Sequence, residues 1–274
     1  MSEETGGWFR GVDPRDRAAA RKAIETGSTA GPEDWPALAV EAGFAADEPE
    51  YYDRLHAATV HAAREGSAER ERADDQQLAH AVRAMDDASR TANELDERVA
   101  EWAGSLGWPQ EAEAVAGREP EGPDERRLVS LAERVRDLQE EAEALRRHVE
   151  RTAPSVAPNL AALAGPVLAA RLVSLAGGLE TLAKKPSGTL QVLGAEDALF
   201  AHLQGGAPSP KHGVIYAHEY VRGTRPAERG SAARALAGKL TIAARVDHYS
   251  GDYRPELERE LEERVERIRG RDSG

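Results

Sequence analysis

The chain has 274 residues, a net charge of −13, 40% hydrophobic and 5% aromatic residues, and no cysteine. That length holds one large domain or two to three small ones. The missing cysteines exclude disulfides, thiolate metal sites and thiol nucleophiles, and so few aromatic residues exclude a large aromatic core. Only five of the 36 basic residues are Lys; acid excess with little Lys suits a proteome adapted to high salt, and an ordinary GC-biased composition explains it as well. The start, Met1-Ser2-Glu3-Glu4, is acidic with no apolar run behind it, unlike a secretory signal. The most apolar stretch, Leu160–Leu182, is interrupted by Gly165-Pro166, Arg171 and Gly177-Gly178. It reads as buried core helices rather than a membrane span, and a cytoplasmic protein is expected.

Residues 1–72 form a reduced N-terminal piece. Asp13 is expected to cap a helix through Ala18–Ile24, with Pro14 at its first position. Gly27–Pro32 is a turn-rich break, and Pro36–Ala42 and Glu50–Glu65 read as short helices. Trp8, Trp35, Phe44, Tyr51 and Tyr52 are the apolar anchors available. A piece this small is marginal alone, so it is expected to pack on something else or to be partly mobile.

Residues 73–152 carry two heptad series. Leu78, Val82, Met85, Ala92, Leu95, Val99, Trp102 and Leu106 step by fours and threes, with Ser89 at the vacant position. Leu128, Leu131, Val135, Leu138, Ala142, Leu145 and Val149 do the same. Each is a coiled-coil seam with a charged outer face. The Gly/Pro-rich stretch Gly104–Asp124 lets them fold back as an antiparallel hairpin. Whether two hairpins then pair into a four-helix dimer, or one stays a solvated helix pair, is open on the heptads alone.

Residues 153–254 read as an all-helical module and 255–274 as a charged C-terminal helix. Pro154 and Pro158 should end the coiled coil, and Asn159 should cap a helix that Pro166 bends. Leu172, Leu175, Leu179 and Leu182 continue one apolar face. A helix containing Ala195–Leu203 follows, then a Gly205–Pro210 loop and a short apolar segment, Val214-Ile215-Tyr216, expected to be extended. The next helix should run from Ser231 to Val246 with Leu236, Leu240 and Ile242 inward and Arg234, Lys239 and Arg245 on a broad basic flank. Leu257, Leu261, Val265 and Ile268 share one face of Glu256–Arg269. Within Lys184–Arg254 ten Lys/Arg face six Asp/Glu, a net +4, so the other 203 residues carry −17. A basic island in an acidic chain marks a surface for an anionic partner.

Four strings carry a resemblance: Leu175-Ala176-Gly177-Gly178-Leu179, Gln191-Val192-Leu193-Gly194-Ala195-Glu196, Pro210-Lys211-His212-Gly213-Val214-Ile215-Tyr216, and Ala235–Asp247. Together with the coiled coil from Asp75, they closely resemble the archaeal Nop-domain protein of box C/D ribonucleoproteins and its nucleolar and spliceosomal relatives, in order over roughly residues 70–254. The resemblance implies a mainly α fold: a long antiparallel coiled-coil hairpin followed by an all-helical Nop domain, with a short helical piece in front. It implies a scaffold that binds a box C/D guide RNA already carrying its kink-turn-binding protein. It also implies self-association through the coiled coil and a hold on fibrillarin, the methyltransferase that modifies RNA at the 2′-hydroxyl. The chain departs from the family at Asp197, Ala201, Gln204, Pro208 and Ser231, where basic residues are common, and its N-terminal piece is shorter than the family's fibrillarin-binding domain.

By the same resemblance Arg234 and Arg245 match positions that meet RNA, a task suited to the guanidinium fork; intramolecular capping or ion pairing is the alternative. Lys239 has the same two readings, the structural one stronger beside Gly238. Lys211 and His212 sit in a loop that in the family meets RNA and the kink-turn protein, with a structural histidine as the other reading of His212; Gln191 is a further candidate for RNA or partner contact, with a helix cap as its plain reading. Lys184, Lys185 and Glu196 are candidates for RNA or partner contact, with a solvated Lys pair and a helix cap as their plain readings. No metal-ligand spacing, phosphate loop or nucleophile elbow is present, so no cofactor, metal or catalytic residue is expected. A second function stays in view: a coiled-coil protein adaptor with the Nop fold that has lost most RNA affinity.

Overall fold

The computed structural model describes residues 7–29, 31–204 and 208–270. The acidic start, Gly6, Ala30 and the Gly205-Gly206-Ala207 part of the expected loop lie outside them. Every regular element among the described residues is helical, and the chain divides into two compact units, Met1–Ala73 and Asp74–Gly274.

The first unit contains α1 (Arg17–Thr26), α2 (Trp35–Glu41) and α3 (Glu48–Glu71). Asp16, not Asp13, caps α1: its carboxylate accepts from the N–H groups of Ala18 and Ala19 at 3.0 Å, while Asp13 closes the preceding turn on Arg15 N. The expected Glu50–Glu65 helix is part of a 24-residue element begun by an Asp47 cap. A small aromatic core holds the unit. Phe9 is its most buried aromatic ring, with Phe44 and Tyr51 beside it and Trp8 and Trp35 on its edge. Edge-to-face pairs such as Trp8–Phe44, 5.1 Å between centroids, account for the packing. Tyr52 is instead half exposed, because one residue after buried Tyr51 a helix has already turned about 100° away.

The second unit opens with the hairpin. Helices α4 (Asp74–Ser105) and α6 (Pro123–Val156) run antiparallel, with α5 (Ala112–Ala116) folded onto α6 in the connection. They are roughly 48 and 51 Å long at the standard rise. The start of α4 meets the end of α6 through Leu78, Val82 and Val149, and the far end closes with Val99 and Ala103 against Leu128, Ala132 and Val135. Leu106 departs from the expected seam: it lies past the end of α4 and is exposed, and Ala103 takes the inward position. Pro154 does not end α6, which continues to Val156. A proline in the last turn removes a single backbone bond, and Ala157 N–H still reaches Ala153 O at 2.9 Å.

The remaining helices wrap one long one. In order they are α7 (Pro158–Ala164), α8 (Pro166–Ala176), α9 (Leu179–Lys184), α10 (Ser187–Val192), α11 (Glu196–Leu203), a 3-10 turn at Val214–Ala217, α12 (Glu219–Arg222), α13 (Arg229–Tyr249) and α14 (Glu256–Arg269). Helices α7, α9, α10, α12 and α14 all pack on α13, whose buried face is mostly alanine, Ala232, Ala233, Ala237, Ala243 and Ala244 among them. Small side chains let neighbours approach closely. The apolar face of α14, Leu257, Leu261, Val265 and Ile268, is buried as its spacing predicts. Leu175 and Ile242 are the exceptions on their helices, 47% and 42% exposed. The segment expected to be extended at Val214–Tyr216 is a 3-10 turn. The helix expected to begin at Ser231 begins at Arg229.

Helix α7 corrects the expected cap. Asn159 lies inside it, and Asp247 from α13 supplies the acceptor instead: its carboxylate takes the N–H of Asn159 at 3.0 Å, that of Leu160 at 2.8 Å and the Asn159 amide at 2.7 Å. Asn159 then bonds Asp252 O and Arg254 N, tying the α13–α14 turn to the same point. Burial pushes the Asp247 carboxyl upward, and the donors from Asn159 and Leu160 oppose that shift.

Polar bridges fix the hairpin to the helices around α13. Arg83 donates to the Ser174 hydroxyl at 2.8 Å and to Ser174 O at 3.0 Å. Asp75 accepts from Leu179 N at 2.8 Å, and Arg171 pairs with Asp86. The break that receives Asp75 is Gly177-Gly178, with φ of 85° and 125°, values that a residue with a Cβ rarely adopts. No single described helix is long and apolar enough to cross a membrane; α7 and α8 reach that length only together, are bent by 117° at their junction, and have most of their residues buried.

Candidate RNA-binding surface

Arg234 and Arg245 are both exposed on α13. Eleven residues make three turns plus about 20°, so they share one side of the helix, roughly 16 Å apart. Thr241 lies between them on that side and is buried, so packing covers the middle of the side and leaves its two ends open.

At the C-terminal end, Arg245 Nε donates to Ala183 O at 3.1 Å, on the last turn of α9. This bond brings Lys184 and Lys185 beside Arg245. Lys184 pairs with Glu180 at 2.6 Å, and the hydrogen bond to that carboxylate holds its ammonium above the usual lysine range.

A second group forms where the loop before the 3-10 turn clasps the end of α10. Gly213 N–H donates to Gln191 O and Val214 N–H to Leu193 O, both at 2.8 Å. The Gln191 amide returns a bond to Lys211 O at 2.7 Å. Glu196 accepts from Gly194 N at 2.8 Å, closing the turn into α11. Gln191, Glu196, Lys211 and His212 are therefore neighbours by backbone bonding, although they span some twenty positions of sequence. Gly213 makes the clasp possible: a Cβ there would lie 2.0 Å from Leu193 O and 2.7 Å from Val192 C. Gly213→Ala is expected to open the loop, lowering stability by about 1–3 kcal/mol through overpacking and displacing Lys211 and His212. Thermal unfolding checks it; an unchanged midpoint would show that the backbone absorbs the methyl.

Lys239 goes elsewhere. It sits about 120–140° around α13 from the two arginines, and its ammonium pairs with Glu260 of α14, whose carboxyl that bond holds below its usual range. In this structure it fastens α14 to α13.

Tyr216 and Arg229, which no motif had marked for binding, complete the second group. His212 stacks on Tyr216 at 4.5 Å with ring planes 22° apart, and the Arg229 guanidinium lies 5.6 Å from the Tyr216 ring centre. Arg229 is held by Thr224 O at 3.0 Å. The four-residue spacing of His212 and Tyr216 was the available signal. Nearby, His218 is structural: Leu163 O and Tyr220 N–H occupy its two ring nitrogens, and burial lowers its pKa. Helix α11 is different in kind. None of its residues is buried, and Phe200 and Leu203 are 63% and 75% exposed. Among the described residues no group of three His, Cys, Asp or Glu is placed to hold a metal ion.

The second unit thus combines a long helical hairpin, a helical module joined to it by the Arg171–Asp86 ion pair and several hydrogen bonds, and a surface that carries exposed arginines and a stacked His–Tyr pair. The Nop profile, described as "snoRNA binding domain, fibrillarin", matches residues 59–268. An uncharacterised NOP5 family protein of Methanocaldococcus jannaschii is 52% identical over 143 residues, covering 52% of this chain and 34% of that protein. Nucleolar protein 58 of Scheffersomyces stipitis is 36% identical over 167 residues, 59% of this chain and 32% of that one. A chain in the crystal structure of a fibrillarin/Nop5p complex superposes with a TM-score of 0.56 at 25% identity, covering 96% of this chain and 98% of that one. The chain belongs to the Nop family. It spans about a third of the length of the curated relatives it matches.

Proposed function

We propose that this protein is the scaffold subunit of a box C/D guide ribonucleoprotein. It binds a kink-turn RNA that already carries its kink-turn-binding protein, and it positions fibrillarin for 2′-O-methylation of RNA. It contributes no catalytic group and acts in the cytoplasm. The observation that carries this reading is the pair of exposed arginines on one side of α13, with Lys184 and Lys185 at one end and the Gln191–Lys211–His212 clasp held by α10, which packs on the same helix. Phosphate contacts from such residues position an RNA rather than read its sequence.

Exposed Phe200 and Leu203 on α11 suit a protein partner, which fits a surface made jointly by RNA and a bound protein. The likeness to the fibrillarin/Nop5p structure covers 96% of this chain and so takes in most of the first unit; that supports assigning the fibrillarin contact to it despite its small size. The hairpin is the proposed self-association element, and the functional parts are the N-terminal piece, the coiled coil, the Nop domain and the charged C-terminal helix. The adaptor reading keeps one specific support: Asp197 and Ser231 stand where basic residues are usual, which thins the phosphate-binding set.

A gel-shift titration in molar KCl separates the two. Box C/D RNA with its kink-turn protein should be supershifted at far lower protein concentration than naked RNA. Equal affinity for both would contradict a composite surface, and no shift with either would leave the adaptor.

A further inference from the structure

The C-terminal end of α13 carries more than cations. Ile242, Arg245 and Tyr249 fall on one stripe of the helix, at i, i+3 and i+7, and all three are exposed. Tyr249 is 69% exposed and Ile242 42%, on a helix whose other large apolar side chains, Leu236 and Leu240, are fully buried. His248 packs on the Tyr249 ring at 4.6 Å with the planes 64° apart, which steadies it. Arg245 lies one turn before Tyr249 on this stripe and is bonded to Ala183 O, next to Lys184 and Lys185. Glu180, one turn before Lys184 on α9, is paired with Lys184.

We propose that Tyr249, steadied by His248, is a stacking platform for an unpaired base of the bound RNA, whose phosphates are met by Arg245, Lys184 and Lys185. An exposed ring flanked by cations is how single-stranded nucleic acid is held: the ring takes a base face, and the cations follow the backbone. An exposed ring beside cations favours RNA over an acidic protein segment as the occupant, because a planar base uses the ring face while its phosphate uses the cations. This rests on the ribonucleoprotein reading and extends the RNA-contacting surface one turn past Arg245.

The test compares wild type, Tyr249→Ala and Tyr249→Phe in gel shifts on two box C/D kink-turn RNAs, each carrying its kink-turn-binding protein. One has unpaired nucleotides flanking its stem; the other ends in a blunt duplex. Tyr249→Ala should bind the first about tenfold more weakly and the second as wild type does, and Tyr249→Phe should match wild type on both. Wild-type affinity of Tyr249→Ala on both RNAs, or equal losses on both, overturns the stacking role while leaving the scaffold standing. No wild-type shift on either RNA overturns the scaffold reading and the stacking role with it.

Discussion

Asp247→Ala is expected to lower the stability of the second unit by about 3–5 kcal/mol, since each of three buried donors costs on the order of 1–3 kcal/mol without an acceptor and the loss of a desolvated carboxylate offsets part of the sum. Three N–H groups, from Asn159 backbone and side chain and Leu160 backbone, lose their acceptor at once. Asp247 is 8% exposed, so water does not readily replace it. The consequences are not confined to α7. Asn159 also ties Asp252 and Arg254, so the turn into α14 loosens with it. Urea or thermal unfolding of the variant reads the loss. Asp247→Asn should fall between the two, since its oxygen still accepts while its NH2 faces donors. A loss below about 1 kcal/mol for Asp247→Ala would mean the helix start is held by packing and not by this carboxylate.

The paired variant Arg234→Ala/Arg245→Ala should weaken binding to the preassembled kink-turn complex by about two to four orders of magnitude, at roughly 1.5–3 kcal/mol for each charge-assisted contact. It should also reduce the slope of log affinity against log salt by about two, one for each phosphate that no longer meets a guanidinium. Arg234 is exposed and makes no bond that the fold needs, whereas Arg245→Ala also removes the bond to Ala183 O, so thermal unfolding of the variant is read beside its binding. Lys239→Ala is the matched control. It removes a positive charge from the same helix, but one already spent on Glu260. It should leave the salt slope unchanged and lower stability only slightly, as the loss of a solvent-facing ion pair does. If Lys239→Ala changes the slope as much as the arginines do, net charge and not placement governs binding.

The fold was largely legible because its main elements are periodic. Heptad spacing placed the hairpin, the Gly/Pro stretch placed its connection, and the Leu257–Ile268 face placed the last helix. Where the reading failed, neighbours decided. Asn159 looked like a cap by local rules, yet a carboxylate 88 residues away occupies that role. Val214–Tyr216 looked extended by composition, but the clasp onto Gln191 and Leu193 curls it into a 3-10 turn. Leu175 and Ile242 fit inward-facing patterns and are exposed, because hydrophobic spacing says which residues suit burial and not whether anything packs over them.

The helical class, the hairpin, the basic island in an acidic chain and the motifs that place it in the Nop family all follow from the amino-acid sequence. Each is a property of short stretches or of sums over the chain, so no contact between distant residues has to be known. Which cations are available for a partner follows only from folding. Arg234, Lys239 and Arg245 are alike in sequence, but the packing of α14 on α13 brings Glu260 to Lys239, while both arginines stay at the surface. Folding also makes neighbours of Gln191 and Lys211, through a backbone clasp that a Cβ at Gly213 would block. Charge and spacing are written along the chain; which charge is neutralised and which stays at the surface depends on what folding brings beside it.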